Sequence, residues 1–114
     1  YLQYTVARCN SVLSKVGDAG KYNLLSMNEE EYAVIAELGK FPDQVKAAAE
    51  KYEPSIITSY ALDLAAAYNK FYIAHKISVE DENVKNFRLS ITKCVKTVLT
   101  NALTLLGIET VEQM

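Results

Sequence analysis

Tyr1, Tyr4, Arg8, Ser11 and Lys15 share one face of a helical projection drawn at about 100° per residue, opposite Leu2, Cys9 and Leu13. Two phenols, a guanidinium and an ammonium on a polar face are the groups that stack on unpaired bases and hold phosphates. A second reading of Tyr1 and Tyr4, packing against a domain upstream, stays open beside the first. Tyr72 lies about 60° off the centre of the apolar stripe of its own helix, with Lys76 one turn later. A ring at such a boundary packs on a core while its hydroxyl faces a ligand. Lys85, Lys93 and Lys96 occupy a polar helix face, where solvation and phosphate contact are the alternatives. Arg88 sits at the apolar edge of the same helix and is expected to pair with a carboxylate such as Asp63 or Glu53. Tyr68, Phe71 and Phe87 fall on apolar stripes and are expected in the core.

The residue types needed for catalysis are scarce. The chain has one histidine, His75, so any Ser-His-Asp or Cys-His arrangement would have to use it. His75 falls near the middle of an apolar stripe and reads as a buried or half-buried packing residue. No Glu-x-x-His or His-x-x-x-His spacing is available for a metal. Gly17-Asp18-Ala19-Gly20 is followed by neither the Lys-Ser/Thr pair nor the helix start of a phosphate-cradling loop. The expectation is therefore no catalytic residue, no metal site and no cofactor within these 114 residues.

Composition narrows the class. Half the residues are apolar and 23% are charged, as in an ordinary globular domain able to bury a single core. No apolar run approaches the ~18 residues a membrane span needs. Two cysteines far apart and the absence of an Asn-x-Ser/Thr site point to a reducing cytoplasm rather than to a secreted disulfide scaffold. The net charge of −2 is unfavourable for binding a polyanion, but its distribution is uneven. Residues 28–53 carry seven acids and three lysines, whereas residues 83–107 carry Lys85, Arg88, Lys93 and Lys96 and no acid. A chain divided in this way can face a polyanion with one side.

The elements that must position these residues are helical throughout. Leu2, Val6, Cys9, Leu13 and Val16 form the apolar face of a first helix, broken at residues 17–20. Asn28 caps a second, with Glu31 at the capping-box position and Met27 and Tyr32 at hydrophobic-staple spacing. The glutamates at 29–31 complement the dipole of that helix rather than form a site. It should end near Lys40, because Phe41 precedes a proline and is steered away from helical angles. Pro42 opens a short third helix through Val45, Ala48, Ala49 and Tyr52. Pro54 opens a fourth, about 20 residues long and central, carrying Ile57, Tyr60, Ala61, Leu64, Tyr68, Phe71 and His75 inward. An acidic loop at residues 78–82 precedes a fifth, which sends Val84, Phe87, Ile91, Val95, Val98, Ala102 and Leu105 to the core. Gly107 ends it with a left-handed cap, and Ile108 is placed for the accompanying apolar contact. The predicted fold is all-α: a single bundle of about five helices over residues 1–114.

Several stretches, in order, resemble the C-terminal anticodon-binding domain of arginyl-tRNA synthetases, often called DALR, across nearly the whole chain. They are Tyr1-Leu2-Gln3-Tyr4 with Ala7-Arg8; Phe41-Pro42; Glu53-Pro54; Tyr60-Ala61-Leu62-Asp63-Leu64-Ala65 followed by Tyr68-Asn69-Lys70-Phe71-Tyr72; and Arg88-Leu89, Val95, Val98-Leu99, Leu103 and Leu106-Gly107-Ile108 before a terminal Val-Glu-Gln-Met. The sequence departs from the family's usual residues at Ser55, Ala102 and Gln113, and lacks the DALR tetrapeptide. The resemblance implies that residue 114 is a true C-terminus, that the front end is a cut, and that the chain belongs to a longer class I synthetase. That enzyme joins arginine to tRNA with ATP, and both small substrates bind a catalytic domain upstream, the domain's own partner. The His-Ile-Gly-His-like and Lys-Met-Ser-Lys-like tetrapeptides that hold ATP in such enzymes are absent from this sequence. The implied role here is recognition of the tRNA anticodon loop, with no DNA and no membrane involved. Tyr72 and Met114 match positions that form the pocket for the middle anticodon base. The candidate RNA-contacting residues are thus Tyr1, Tyr4, Arg8, Tyr72, Lys76, Lys93, Lys96 and Met114. The rival reading is a helical protein-interaction module without RNA contact, in which Tyr1, Tyr4 and Tyr72 are buried or meet a protein.

Overall fold

Asn28, Pro42, Pro54 and Asp81 mark the places where helices start, and the computed structural model, which describes residues 1–17, 20–22, 26–77 and 79–107, follows them closely. Five helices result: α1 Leu2–Val16, α2 Glu29–Gly39, α3 Phe41–Lys51, α4 Ser55–Ala74 and α5 Glu82–Leu105. No strand occurs among the described residues, so the architecture is the all-α bundle expected.

Local chemistry accounts for most boundaries. The capping box at α2 is complete: the Asn28 side chain accepts from the Glu31 amide at 2.8 Å, and Glu31 Oε1 accepts from the Asn28 amide at 3.1 Å. Met27 and Tyr32, spaced for a staple, both lie exposed. Asp81 caps α5 by accepting from the amides of Asn83 and Val84. Gly107 follows α5 at φ +76°, and its amide donates to the Thr104 carbonyl. Ile108 lies outside the described residues.

Three expectations are corrected. Phe41 is helical, despite preceding a proline, and forms the first residue of α3; the break between helices falls at Lys40. Its ring stacks on Tyr60 with centroids 5.7 Å apart, a tertiary contact that outweighs the local preference against helical angles before proline. Tyr52 does not face the core. It is the α3 C-cap in the left-handed region at φ +54°, which swings the side chain off the helix face and leaves it 91% exposed. Leu105 is likewise exposed at the last residue of α5, and Leu89, Thr92, Leu99 and Leu103 are buried instead. The buried stripe of α5 is wide because that helix packs on α1, α2 and α4 at once.

Helix α4 is central: it touches each of the other four. Its row of Ile57, Tyr60, Ala61, Leu64, Ala65, Tyr68 and Phe71 is buried, and Val6 and Cys9 of α1, Val34 of α2 and Phe87, Ile91, Val95 and Leu99 of α5 close around it. Tyr68 keeps its hydroxyl satisfied inside this core, 3.1 Å from Thr92 Oγ1. Contacts between residues 5 and 69 and between 8 and 72 set α1 parallel to α4, whereas contacts of 30 with 75 and 37 with 60 set α2, and of 88 with 76 and 92 with 68 set α5, antiparallel to it. The polar face of α1 is thereby laid alongside the C-terminal half of α4.

Candidate nucleic-acid interface

That alignment gathers four of the expected residues into one cluster. The Arg8 guanidinium lies over the Tyr72 ring, Cζ 4.3 Å from the centroid, and 5.0 Å from the centroid of Tyr4. Its Nη2 donates to the Tyr4 hydroxyl at 2.8 Å, and its Nη1 donates to Asn69 Oδ1 at 2.8 Å. Asn69 Nδ2 donates in turn to the Tyr1 hydroxyl at 2.9 Å and to Thr5 Oγ1 at 3.0 Å. Tyr72 packs inward on Tyr68, centroids 6.2 Å apart, yet stays 37% exposed, and Tyr4 is 44% exposed. Both therefore occupy the boundary position expected of Tyr72, with one face on protein and another open to solvent.

No carboxylate joins Arg8 among the ion pairs of the described residues. Its hydrogen-bond partners are neutral, and the two aromatic rings within 5.0 Å of its Cζ attract a cation without cancelling its charge. Cys9, the next residue of α1, is fully buried. Burial pushes its thiol up to about 12, against the opposing effects of a hydrogen bond with Tyr68 and the charges of Arg8 and Lys96.

A groove of about 540 Å³ continues from the cluster between α1 and the end of α4. Ser11 and Lys15 of α1 line it, together with Tyr72 and Ile73 of α4 and His75 and Lys76 at and beyond its end. Lys76 lines the groove with Tyr72, but from the chain beyond the end of α4, because the helix stops at Ala74 and His75 is extended, not one helical turn later as expected. Lys93 and Lys96 are not gathered into the cluster; they lie on α5, Lys93 exposed and Lys96 half-buried within electrostatic reach of Cys9. Met114 lies outside the described residues.

Three other expectations resolve at the edge of this face. His75 is half-buried, as expected, but it is the α4 C-cap in extended backbone, its ring packed on Phe71 at 6.2 Å and its Nε2 2.8 Å from Glu30 Oε1. Arg88 pairs with neither Asp63 nor Glu53. Its Nε donates to Glu31 Oε2 at 3.0 Å and its Nη1 to the Lys76 carbonyl, because the antiparallel packing of α4 and α5 brings Arg88 to the end of α4 beside the α2 N-terminus. The glutamates at the start of α2 therefore do more than complement a dipole: Glu30 and Glu31 tie α2 to α4 and α5. Among the described residues no group of three or more His, Cys, Asp or Glu could hold a metal ion, and no helix is long and apolar enough to cross a membrane.

Sequence reasoning missed Asn69 and Thr5 as parts of this site. The signal was present in the register: Asn69 continues the i, i+4 row of Ala61 and Ala65, both fully buried, so its amide had to find partners inside the protein.

The sequence profile of the DALR anticodon binding domain matches residues 2–114. The chain belongs to this family. It is 42% identical over 118 residues to the arginine–tRNA ligase of Clostridium botulinum (strain Alaska E43 / Type E3), an alignment covering all of this chain and 21% of that protein. The arginine–tRNA ligase of Halothermothrix orenii is 44% identical over the same length. Among solved structures, Thermus thermophilus arginyl-tRNA synthetase superposes with a TM-score of 0.93 at 34% identity, covering all of this chain and 21% of that one. A putative arginyl-tRNA synthetase from Campylobacter jejuni gives 0.89 at 27% identity. This DALR domain spans about a fifth of the length of the curated relatives it matches.

Proposed function

We propose that this chain is the part of an arginine–tRNA ligase that recognises the tRNA anticodon, in the cytoplasm, and that the Tyr4–Arg8–Tyr72 cluster with its adjoining groove is the surface that meets the loop. The observation that carries the reading is the Arg8 cation, held by neutral partners between two part-exposed tyrosine rings. Unpaired loop bases stack on aromatic and guanidinium planes and are read at their edges, so a domain of net charge −2 binds RNA through a pocket rather than through bulk charge. Lys15 and Lys76, which both line the groove, are the cations it offers to flanking phosphates. Tyr72 orients the middle anticodon base, which the terminal Met114 covers. Tyr1 contributes through its hydroxyl bond to Asn69, and Lys93 and Lys96 meet the backbone further along the RNA. Joining arginine to the tRNA with ATP belongs to the remainder of such a ligase, the partner that this domain serves.

The membership in a family described as anticodon-binding favours this over a protein-interaction module, as does the exposure of Tyr4 and Tyr72. The test is a titration of the protein with an RNA hairpin carrying the anticodon stem-loop of an arginine tRNA, followed by NMR. Expected are shifts at Tyr4, Arg8, Lys15, Tyr72 and Lys76, weakened when the middle anticodon base is substituted. Shifts confined to other faces, or identical for both hairpins, would refute the assignment.

A further inference from the structure

The chain has two arginines, and the fold treats them in opposite ways. Arg88 is tied to the buried carboxylate of Glu31 and so neutralised in place. Arg8 is held by a carboxamide. Asn69 is only 8% exposed, and the network fixes which way its amide points: Arg8 can only donate, so the atom 2.8 Å from Nη1 is the oxygen. The amide nitrogen then spends its two protons on Tyr1 and Thr5, and Thr5 Oγ1 is free to accept because its own proton goes to the Tyr1 carbonyl at 3.0 Å. An aspartate at this position would grip the guanidinium more strongly, since the attraction of opposite charges would add to the hydrogen bond. It would also cancel the charge.

We propose that Asn69 is a positioning residue for RNA recognition: it fixes the Arg8 guanidinium between Tyr4 and Tyr72 while leaving its positive charge available to an anionic backbone. The inference rests on the anticodon-binding reading for the nature of the anion, and on geometry alone for the positioning. With both Nη atoms engaged, Arg8 has lost its rotamer freedom before any ligand arrives, so binding does not have to order it. Asn69 itself need not touch RNA.

Asn69→Asp and Asn69→Ala separate the two halves of the idea. Each is examined for Arg8 side-chain order, by resolved and slowly exchanging Nη proton signals in NMR, and for affinity toward the anticodon stem-loop hairpin across a salt series. In Asn69→Asp the Tyr1 and Thr5 hydroxyls can turn to donate, so Arg8 should stay ordered. The hairpin affinity should nevertheless fall about tenfold at low salt, and the slope of log affinity against log salt should shrink by about 0.7, the value of one single-strand phosphate contact. In Asn69→Ala the Arg8 signals should collapse, and affinity should also fall about tenfold, as expected for losing one hydrogen bond to a charged group, while the slope is kept because the charge remains. A merely structural asparagine would lower the melting temperature in both variants and leave the slope of each unchanged. Wild-type affinity and slope in Asn69→Asp would overturn the role of the uncancelled charge, and ordered Arg8 signals in Asn69→Ala would overturn the positioning. A wild-type protein that ignores the hairpin would refute the anticodon reading, and the Arg8 signals would still decide whether Asn69 positions it.

Discussion

Replacing Glu31 by alanine should be among the most damaging single changes of a charged residue in this bundle, although the residue is a glutamate in the first turn of a helix. Its two carboxylate oxygens do separate work. Oε1 accepts from the Asn28 amide and completes the capping box; Oε2 accepts from Arg88 Nε at 3.0 Å. Loss of the cap bond costs about 1 kcal/mol. Loss of the ion pair costs more, because the Glu31 and Arg88 side chains are only 5% and 13% exposed and the guanidinium is left without its counter-charge. Removing one member of a fully buried pair costs about 3–5 kcal/mol. Arg88 keeps the Lys76 carbonyl and some access to water, which places this pair nearer 2–3 kcal/mol. The sum for Glu31→Ala is about 3–4 kcal/mol, or roughly 15 °C in melting temperature for a domain of this size. Glu31→Gln keeps the cap acceptor and should lose about half of that. The assay is urea denaturation followed by circular dichroism, run as a double-mutant cycle with Arg88→Ala, where a coupling of about 2 kcal/mol is expected. A loss below about 1 kcal/mol in Glu31→Ala, or a coupling within about 0.5 kcal/mol of zero, would refute the reasoning and return Glu31 to the role of a dipole-complementing charge.

Tyr52 holds a left-handed cap without the freedom of glycine and with almost no packing of its ring, so Tyr52→Gly should raise stability by roughly 0.5–1 kcal/mol; a loss on denaturant melting would mean the ring makes contacts that matter. Native protein should titrate one thiol with Ellman's reagent near neutral pH, the exposed Cys94, and two after unfolding; fast reaction of both would contradict the burial of Cys9. The Cys9 thiol ionises near 9.0 in the unfolded chain and at about 12 in the fold, so its contribution to stability is complete below about pH 9 and is lost as pH rises toward 12. Cys9→Ala should therefore flatten the fall in denaturation midpoint between those values, and an unchanged fall would assign it to the phenols of Tyr60 and Tyr68, both of which burial also pushes up. Tyr72→Ala should weaken hairpin binding by about 1–3 kcal/mol with little change in salt slope, and Tyr72→Phe by less; equal losses would make the hydroxyl, not the ring, the contact.

How far the sequence could be read follows from the range of the interactions involved. The helix starts at Asn28 and Pro54, the stop at Gly107 and the inward row of α4 depend on angles and periods set within a few residues, and all of them could be placed without the structure. The misplacements of Phe41 and Tyr52 arise where one long-range contact or one cap angle overrides the period, since neither the Tyr60 ring nor a φ of +54° is written locally. The site shows the same division. The shared face of Tyr4, Arg8 and Lys15 is a property of one helix and was legible, as was the boundary position of Tyr72. That α1 runs parallel to α4, so that Arg8 bridges Tyr4 and Tyr72, is a property of the packing. The carboxylate for Arg88 was sought at Asp63 and Glu53, when the antiparallel α4–α5 pairing delivers Glu31. Asn69 is the instructive case, because it stands inside the very run, Tyr68-Asn69-Lys70-Phe71-Tyr72, on which the family resemblance was built, yet it was assigned no role. A polar residue on a buried i, i+4 row requires partners, so the need for a donor beside Asn69 is written in the sequence, whereas its identity as Arg8 depends on the parallel packing of α1 on α4.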